Sequence, residues 1–508
     1  MDDTDHKYET KSLLQDDKIS LINYENGAAK NGHNRFLNSP ERKLTADDLL
    51  NFAGFGWFQV LAFILSGFTY FAYGMDASVF TLAGAPIRAE FNLTETQYTV
   101  LPAVTSIPNV FGALFFSFLT DRYGRVWPYA LCLAWIGVVS IASAFANSFP
   151  LLIVLRCLAS VAIGGISGLT FPTLVEFLPV KNRGKVTVLV SVLMLLGLCG
   201  SYGMGWWLIG SQQYPDGWRY YIAVVSTPTL FVALYRIVFH FESPRYLISR
   251  RKKERAWKIF ASIARLNSKN LTDLVSKEEF VNQLEETHTS ETKTDQPRKS
   301  FFFQFLIIFT PKYLRRTIPL SVLIITESIG YMCSKVFLPD YLTNLGLSVY
   351  MTLLTTSFAE IFGILLMSII VEWRGVGRLN SLRFFSALTS IWFVLLTVLL
   401  VVEEHQSVYM PVMLILIYFC AFPVLGLIYT YVSESYPTSI RSVTTAYFYV
   451  LQALAFLGGS FLTSSLATES VHWLYPLVLA AIFLIQLVAG LILNYEPYGK
   501  NLMDVVDS

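Results

Sequence analysis

The chain has 508 residues, of which 54% are hydrophobic and only 15% charged, whereas soluble domains carry about 25% charged residues. A water-soluble fold of this size would lack the polar surface to cover itself. The net charge of +2 says little alone, because the charges collect in the first 50 residues, in a block near 245–300 and in short clusters elsewhere, leaving apolar runs about 20 residues long, which span a hydrocarbon layer about 30 Å thick.

In chain order, residues 1–50 read as a disordered cytosolic tail without a signal-peptide pattern, so the first span is expected to be its own insertion signal. The tail holds Glu9-Thr-Lys-Ser-Leu13-Leu14 and Asp17-Lys-Ile-Ser-Leu21-Ile22. Both resemble acidic dileucine signals, which sorting adaptors read to send membrane proteins to endosomes, lysosomes or secretory vesicles. Six spans are predicted near 57–84, 97–119, 126–146, 150–178, 184–211 and 218–240, forming an N-terminal half over 51–244. A cytosolic linker (245–310) leads to six more near 314–339, 349–371, 380–402, 408–432, 441–466 and 471–494, a C-terminal half over 311–496, and a short cytosolic tail (497–508).

The loops support this even count. Arg122, Arg125, Lys181, Arg183, Lys185, Arg374, Arg378, Arg383 and Arg441 fall on one side, with Arg88 and Arg219 on the other. By the positive-inside rule the first set is cytosolic, with both termini. Asn92, in Asn92-Leu93-Thr94, then lies outside as a glycosylation acceptor. The five cysteines sit within apolar runs and imply no disulfide framework. The six histidines show no metal spacing, no phosphate-binding loop is present, and no cysteine has a partnered base, so neither enzyme, metal site nor cofactor is expected. Arg250-Arg-Lys-Lys-Glu-Arg255, beside a span, reads as a cytosolic cluster or a patch for anionic lipid and not as a nucleic-acid site.

Internal repetition is the strongest signal. Glu176, Pro179 and Arg183 recur 258 residues later as Glu434, Pro437 and Arg441. Asp121-Arg-Tyr-Gly124-Arg125 returns loosely as Glu372-Trp-Arg-Gly-Val-Gly377-Arg378, and Glu242 returns as Glu496. Three repeats in order indicate a six-plus-six duplication.

These elements resemble the major facilitator superfamily, over roughly residues 45–500. The opening Ala46-Asp-Asp-Leu-Leu-Asn-Phe-Ala-Gly-Phe-Gly56-Trp57-Phe58-Gln59, the Glu242-Ser-Pro-Arg245 segment, Val154-Leu-Arg156 and Ala359-Glu360 are similar to two of its groups. These are the organic cation/anion/carnitine transporters and the synaptic-vesicle-protein-related transporters. The loop after the first span has only about 12 residues near 85–96, shorter than the long cysteine-rich loop of the organic-ion carriers, which favours the vesicle-related branch. The resemblance implies an all-α integral membrane protein, a twelve-helix facilitator fold of two six-helix halves with a midplane cavity, working as a monomer.

It also implies roles. Asp121, Arg125, Glu176, Arg183, Glu242, Glu372, Arg378, Glu434, Arg441 and Glu496 form the cytosolic gate, as exposed or half-exposed ion pairs worth about 0–1 kcal/mol each. Asp76 and Arg156, at compatible depths, resemble the proton-coupling pair of sugar–proton symporters; a static pair that fixes helix packing is the alternative. Glu327, Lys335 and Glu360 are buried charges suited to a polar or zwitterionic solute, with Glu327 and Lys335 expected on roughly one helix face. Tyr447, Tyr449 and Gln452 are expected to flank the cavity. The expected function is transport of a small polar or charged organic solute by alternating access, with protons as the coupling ion. A vesicle membrane protein that keeps the fold but acts as receptor, sensor or scaffold is one alternative. A sugar carrier is the other, although Thr326-Glu-Ser-Ile-Gly330 stands where sugar carriers have paired glutamines.

Overall fold

The computed structural model describes residues 45–211, 214, 216–238, 241–283, 301–344, 348–373, 375–402, 406–466 and 473–497. The dileucine-like segments at Glu9–Leu14 and Asp17–Ile22 lie outside the described residues.

A short helix opens the described chain. In α1 (Ala46–Ala53), Thr45 and Asp48 form a reciprocal capping box, with Thr45 N donating to Asp48 Oδ2 at 2.9 Å. The tail expected to be disordered through residue 50 is therefore helical from Ala46. The first span is interrupted: α2 (Trp57–Ala77) and α3 (Val79–Glu90) meet at Ser78, whose φ of −91° and ψ of 3° leave the helical region. The Ser78 hydroxyl is held 2.6 Å from Ser201 Oγ and 3.1 Å from Tyr221 Oη. Because α3 runs to Glu90, the loop expected over 85–96 shrinks to residues 91–94.

The first half continues with α4 (Glu95–Tyr123), α5 (Val126–Ala144), α6 (Phe149–Val175), α7 (Arg183–Gly205, ending in a π turn at Trp206–Gly210) and α8 (Gly217–Val238). Between the halves lie α9 (Pro244–Ser249), α10 (Lys253–Leu266), a 3-10 turn (Leu271–Asp273) and α11 (Phe301–Ile307). The second half holds α12 (Pro311–Asn344), α13 (Val349–Ile370), α14 (Gly377–Val402), α15 (Gln406–Ser435), α16 (Thr438–Leu466) and α17 (Leu474–Ile492). Eleven segments among the described residues are long and apolar enough to cross a membrane, α2 and α3 counting as one. The 29-residue α4 completes a twelve-helix bundle.

Within the halves, α4 packs on α6, α2 on α7 and α5 on α8, and correspondingly α12 on α16, α13 on α15 and α14 on α17. Lipid supplies little drive for helices to associate, so small residues that let backbones approach carry the packing. A Cβ on Gly164 would collide with the Asn109 carbonyl, and one on Gly112 with that of Val161, so these glycines set the α4–α6 separation. The halves meet through α7 against α13 and α4 against α16.

The segment expected to be a plain linker is docked. Asn267, just past α10, donates to the carbonyls of Ala53 (3.2 Å) and Gly54 (3.1 Å) and accepts from Phe58 N (3.1 Å). Lys269 Nζ reaches Phe52 O at 2.6 Å. One amide thus ties α10 to the junction of α1 and α2.

Candidate functional site

The described charges gather in two sets, one at the basic end of the bundle, which bears α1, α9 and α10, and one deeper within it. At the basic end each half builds the same unit. Gly124 (φ 100°) and Gly377 (φ 65°) turn the chain into α5 and α14 in the left-handed region that favours glycine. Against each glycine rests a glutamate from the end of that half. Glu242 Oε1 accepts from Arg125 N at 2.8 Å, and Glu496 accepts from Arg378 N (3.1 Å) and Leu379 N (2.9 Å). Anions suit the free N–H groups at a helix start. Glu242 and Glu496, expected in the gate, therefore cap helices inside their own halves. Burial pushes the Glu242 carboxyl up, and the amides of Arg125 and Ser243 partly offset this.

The following arginine of each unit clasps the repeat glutamate: Arg125 holds Glu176 at 3.1 Å, and Arg378 holds Glu434 at 3.0 and 3.1 Å. Asp121 (3.3 Å) and Glu372 (3.5 Å) add a second carboxylate to each. Burial pushes Glu372 up, against the pull of Arg378. Three contacts then cross between halves. Arg441 lies 3.5 Å from Glu176, Arg125 Nη1 donates to Ser442 Oγ, and Lys185 N donates to Glu372 at 3.1 Å.

Two expectations about this cluster need correction. The central pair is not exposed, Glu176 and Arg441 both being 0% accessible, whereas Asp121 and Glu372 beside it are half-exposed. Among the described residues Arg183, unlike its repeat Arg441, forms its ion pair inside its own half, while the charge of Glu434 across the junction also acts on it. Arg183 pairs with Asp47 of α1 (2.5 Å), which Arg245 of α9 also contacts, and it donates to Leu178 O. Asp47 went unnoticed in the sequence because it lies in a segment read as a polar tail. The Thr45–Asp48 capping pattern beside it was the available signal.

Deeper in the first half, Arg156 of α6 lies 3.4 Å from both Asp76 carboxylate oxygens. Ser226 of α8 donates to Asp76 at 3.0 Å, Ser140 of α5 lies 3.4 Å from Arg156, and the Phe80 ring lies 5.0 Å from the guanidinium carbon. The two charges meet as the sequence suggested, buried at 2% and 3% exposure.

Lys335 of α12 and Glu360 of α13 form a 2.7 Å ion pair. Tyr331 Oη donates to Glu360 at 3.2 Å, and the Tyr418 ring centre lies 4.5 Å from the Lys335 ammonium. From the other half, Tyr202 and Cys199 of α7 approach the same carboxylate. Glu327 is not part of this group. It faces α17, where Gln486 Nε2 donates to it at 2.7 Å, eight residues and about 80° around the helix from Lys335. Tyr447 also turns away, onto Phe305 and Phe309, with Ser321 Oγ 3.1 Å from its hydroxyl. Tyr449 and Gln452 do reach the junction of the halves. Asn109 donates to Tyr449 at 3.3 Å, and Gln452 accepts from Tyr429, whose ring stacks on Phe171 with centroids 5.5 Å apart. Tyr331, Tyr418 and Tyr429 were missed. Tyr331 lies one helical turn before Lys335, and Tyr418 and Tyr429 are three turns apart on one face, a pattern visible in the sequence.

Comparison with known proteins agrees with this architecture. The family described as "Sugar (and other) transporter" matches residues 55–506. The chain belongs to that family, within the major facilitator superfamily. It is a multi-pass membrane transporter. This facilitator is 26% identical to "Organic cation/carnitine transporter 7" of Arabidopsis thaliana, over 92% of its own length and 96% of the relative's. It is 23% identical to the "Synaptic vesicle 2-related protein" of Bos taurus, over 96% and 87%. Its fold matches the proton:xylose symporter XylE bound to 6-bromo-6-deoxy-D-glucose, with a TM-score of 0.72, 19% identity and coverage of 87% and 97%. A partially occluded inward-open form of XylE from E. coli gives 0.63 at 16% identity, over 85% and 98%.

Proposed function

We propose that this facilitator carries a small organic solute bearing a charge, a zwitterion or an organic ion, by alternating access, and that Lys335 and Glu360 contact it. The observation that carries this reading is the Lys335–Glu360 pair at the junction of the halves, with Lys335 14% exposed and Glu360 fully covered. A solute carboxylate would take the Lys335 ammonium, and a solute cation would meet Glu360 and the faces of Tyr331 and Tyr418. The name of the Arabidopsis relative supports an organic-ion cargo.

The basic end is the cytosolic gate in this reading, closed by Arg441–Glu176, Arg125–Ser442 and Lys185–Glu372. Asp76–Arg156 is the proton-coupling element in this reading, a buried ion pair joining two helices of the first half. Asn92, exposed at the far end and in a left-handed conformation, is a glycosylation acceptor. A vesicle membrane is the favoured address, supported by the name of the bovine relative and by the dileucine-like segments, which adaptors would read.

Uptake by the purified protein in liposomes, against a panel of zwitterions, organic cations, organic anions and sugars, with and without a pH gradient, tests the reading. Saturable uptake of a charged solute, lost in Glu360→Gln, is expected. Saturable uptake of a neutral sugar alone would move the cargo to the reading favoured by the family's description. No uptake of any solute would favour the receptor or scaffold.

A further inference from the structure

A second polar feature lies behind the gate, inside the first half alone. A partly open cavity of about 30 Å³ lies near the basic end between α2, α5, α6 and α8. Its wall is mostly apolar, Phe58 and Phe177 among it, but it also holds Arg125, Thr173 and Arg236. Arg125 is spoken for by Glu176, Asp121 and Ser442. Arg236 is not. It is 9% exposed, its Nε has no hydrogen-bond partner, and among the described residues no carboxylate forms an ion pair with it. Its guanidinium carbon lies 3.6 Å from the Tyr129 ring centre, a face that attracts cations but carries no net charge. Across the same cavity the Thr173 hydroxyl, 5% exposed, is also without a partner.

A guanidinium cannot shed its proton in a protein, so burial of this one calls for a counter-charge. We propose that the cavity is a binding site for a single small inorganic anion, a halide, held between Arg236 Nε and the Thr173 hydroxyl. A volume of about 30 Å³, above the roughly 10–15 Å³ that a single water needs, has room for a monatomic ion. Water alone would satisfy the hydrogen bonds and leave the charge. The site shares Arg125 with the gate but lies away from the Lys335–Glu360 pair, so it stands or falls independently of the cargo.

The test uses the full chain, purified in detergent and exchanged into sodium chloride, bromide or gluconate at equal ionic strength. A saturable rise in melting temperature of several degrees in chloride and bromide, absent in gluconate, is expected. Arg236→Gln is expected to melt at the same temperature in all three salts. Crystals of the wild type grown in bromide are expected to show an anomalous peak between Arg236 and Thr173. Identical melting of the wild type in all three salts, or a halide effect that survives Arg236→Gln, overturns the site. Should Arg236→Gln fail to fold, the bromide peak decides alone, and its absence overturns the proposal.

Discussion

Glu176 shows how a single carboxylate links the two repeats. Burial pushes it up, but the guanidiniums of Arg125 and Arg441 outweigh this and hold it below its ordinary value of 4.5. A depressed carboxylate contributes stability that is complete above the unfolded value and lost as pH falls through the folded one. Cross-half contact should therefore be intact at neutral pH and weaken only below about pH 4.5. Site-directed cysteines at the basic end, probed with a membrane-impermeant thiol reagent across pH, measure this. Removing one member of a buried pair costs about 3–5 kcal/mol, because the partner charge stays behind. Glu176→Gln should accordingly open the basic end at neutral pH, seen as faster labelling by the same reagent. Deeper in the bundle, Lys335→Ala leaves Glu360 buried without its cation, and solute uptake should fall more than tenfold. Lys335→Arg, which keeps the charge, should restore part of it.

At the scale of elements, α1 supplies a bond that the duplication alone would not. Arg183 and Arg441 are repeats of one another, yet Arg441 crosses to Glu176 and Arg183 turns to Asp47. The first half is thereby pinned to its own leading helix, and through Asn267 to α10. Asp47→Ala leaves Arg183 and Arg245 facing each other without their carboxylate, both 2% exposed. A loss of about 3–5 kcal/mol follows, measurable as a drop in melting temperature; an unchanged melting temperature would show that α1 carries no load. Only the Thr45–Asp48 capping pattern hinted at this part in the sequence. Repeats reveal what the halves share, and α1 belongs to neither. Likewise Glu242 and Glu496 were visible as a recurring pair, but their place beneath Gly124 and Gly377 depends on a turn of the backbone. Glu327 and Lys335 were visible as charges in one helix, while their eight-residue spacing fixes only an angle of about 80° and not the neighbour each one meets.

For the whole molecule, hydropathy and repeats offset by 251–258 residues made the architecture legible, because spanning lipid forces long helices and duplication forces matched motifs. What joins the halves was less so, since the spacing of Tyr418 and Tyr429 shows a shared face but not which helix of the other half that face meets. Gly168 of α6 stands where an added Cβ would lie 4.0 Å from Ala446 Cα of α16, within reach of a disulfide. The double variant Gly168→Cys, Ala446→Cys should lock α6 to α16, abolishing uptake under oxidation and regaining it with dithiothreitol. Uptake that continues in the oxidised form would mean that α6 and α16 need not separate.

The interruption at Ser78 has a mechanical consequence. The 12 residues of α3 form an arm about 18 Å long, jointed at one end to the 21-residue α2. The π turn that ends α7 packs on α3 and is a second weak point in the same region. A swing of about 20° at such a joint carries the tip through roughly 6 Å, enough to admit a small molecule while the rest of the bundle stays still. In the transport cycle proposed above, the basic end would open by breaking a cluster of ion pairs, and the far end by bending at Ser78.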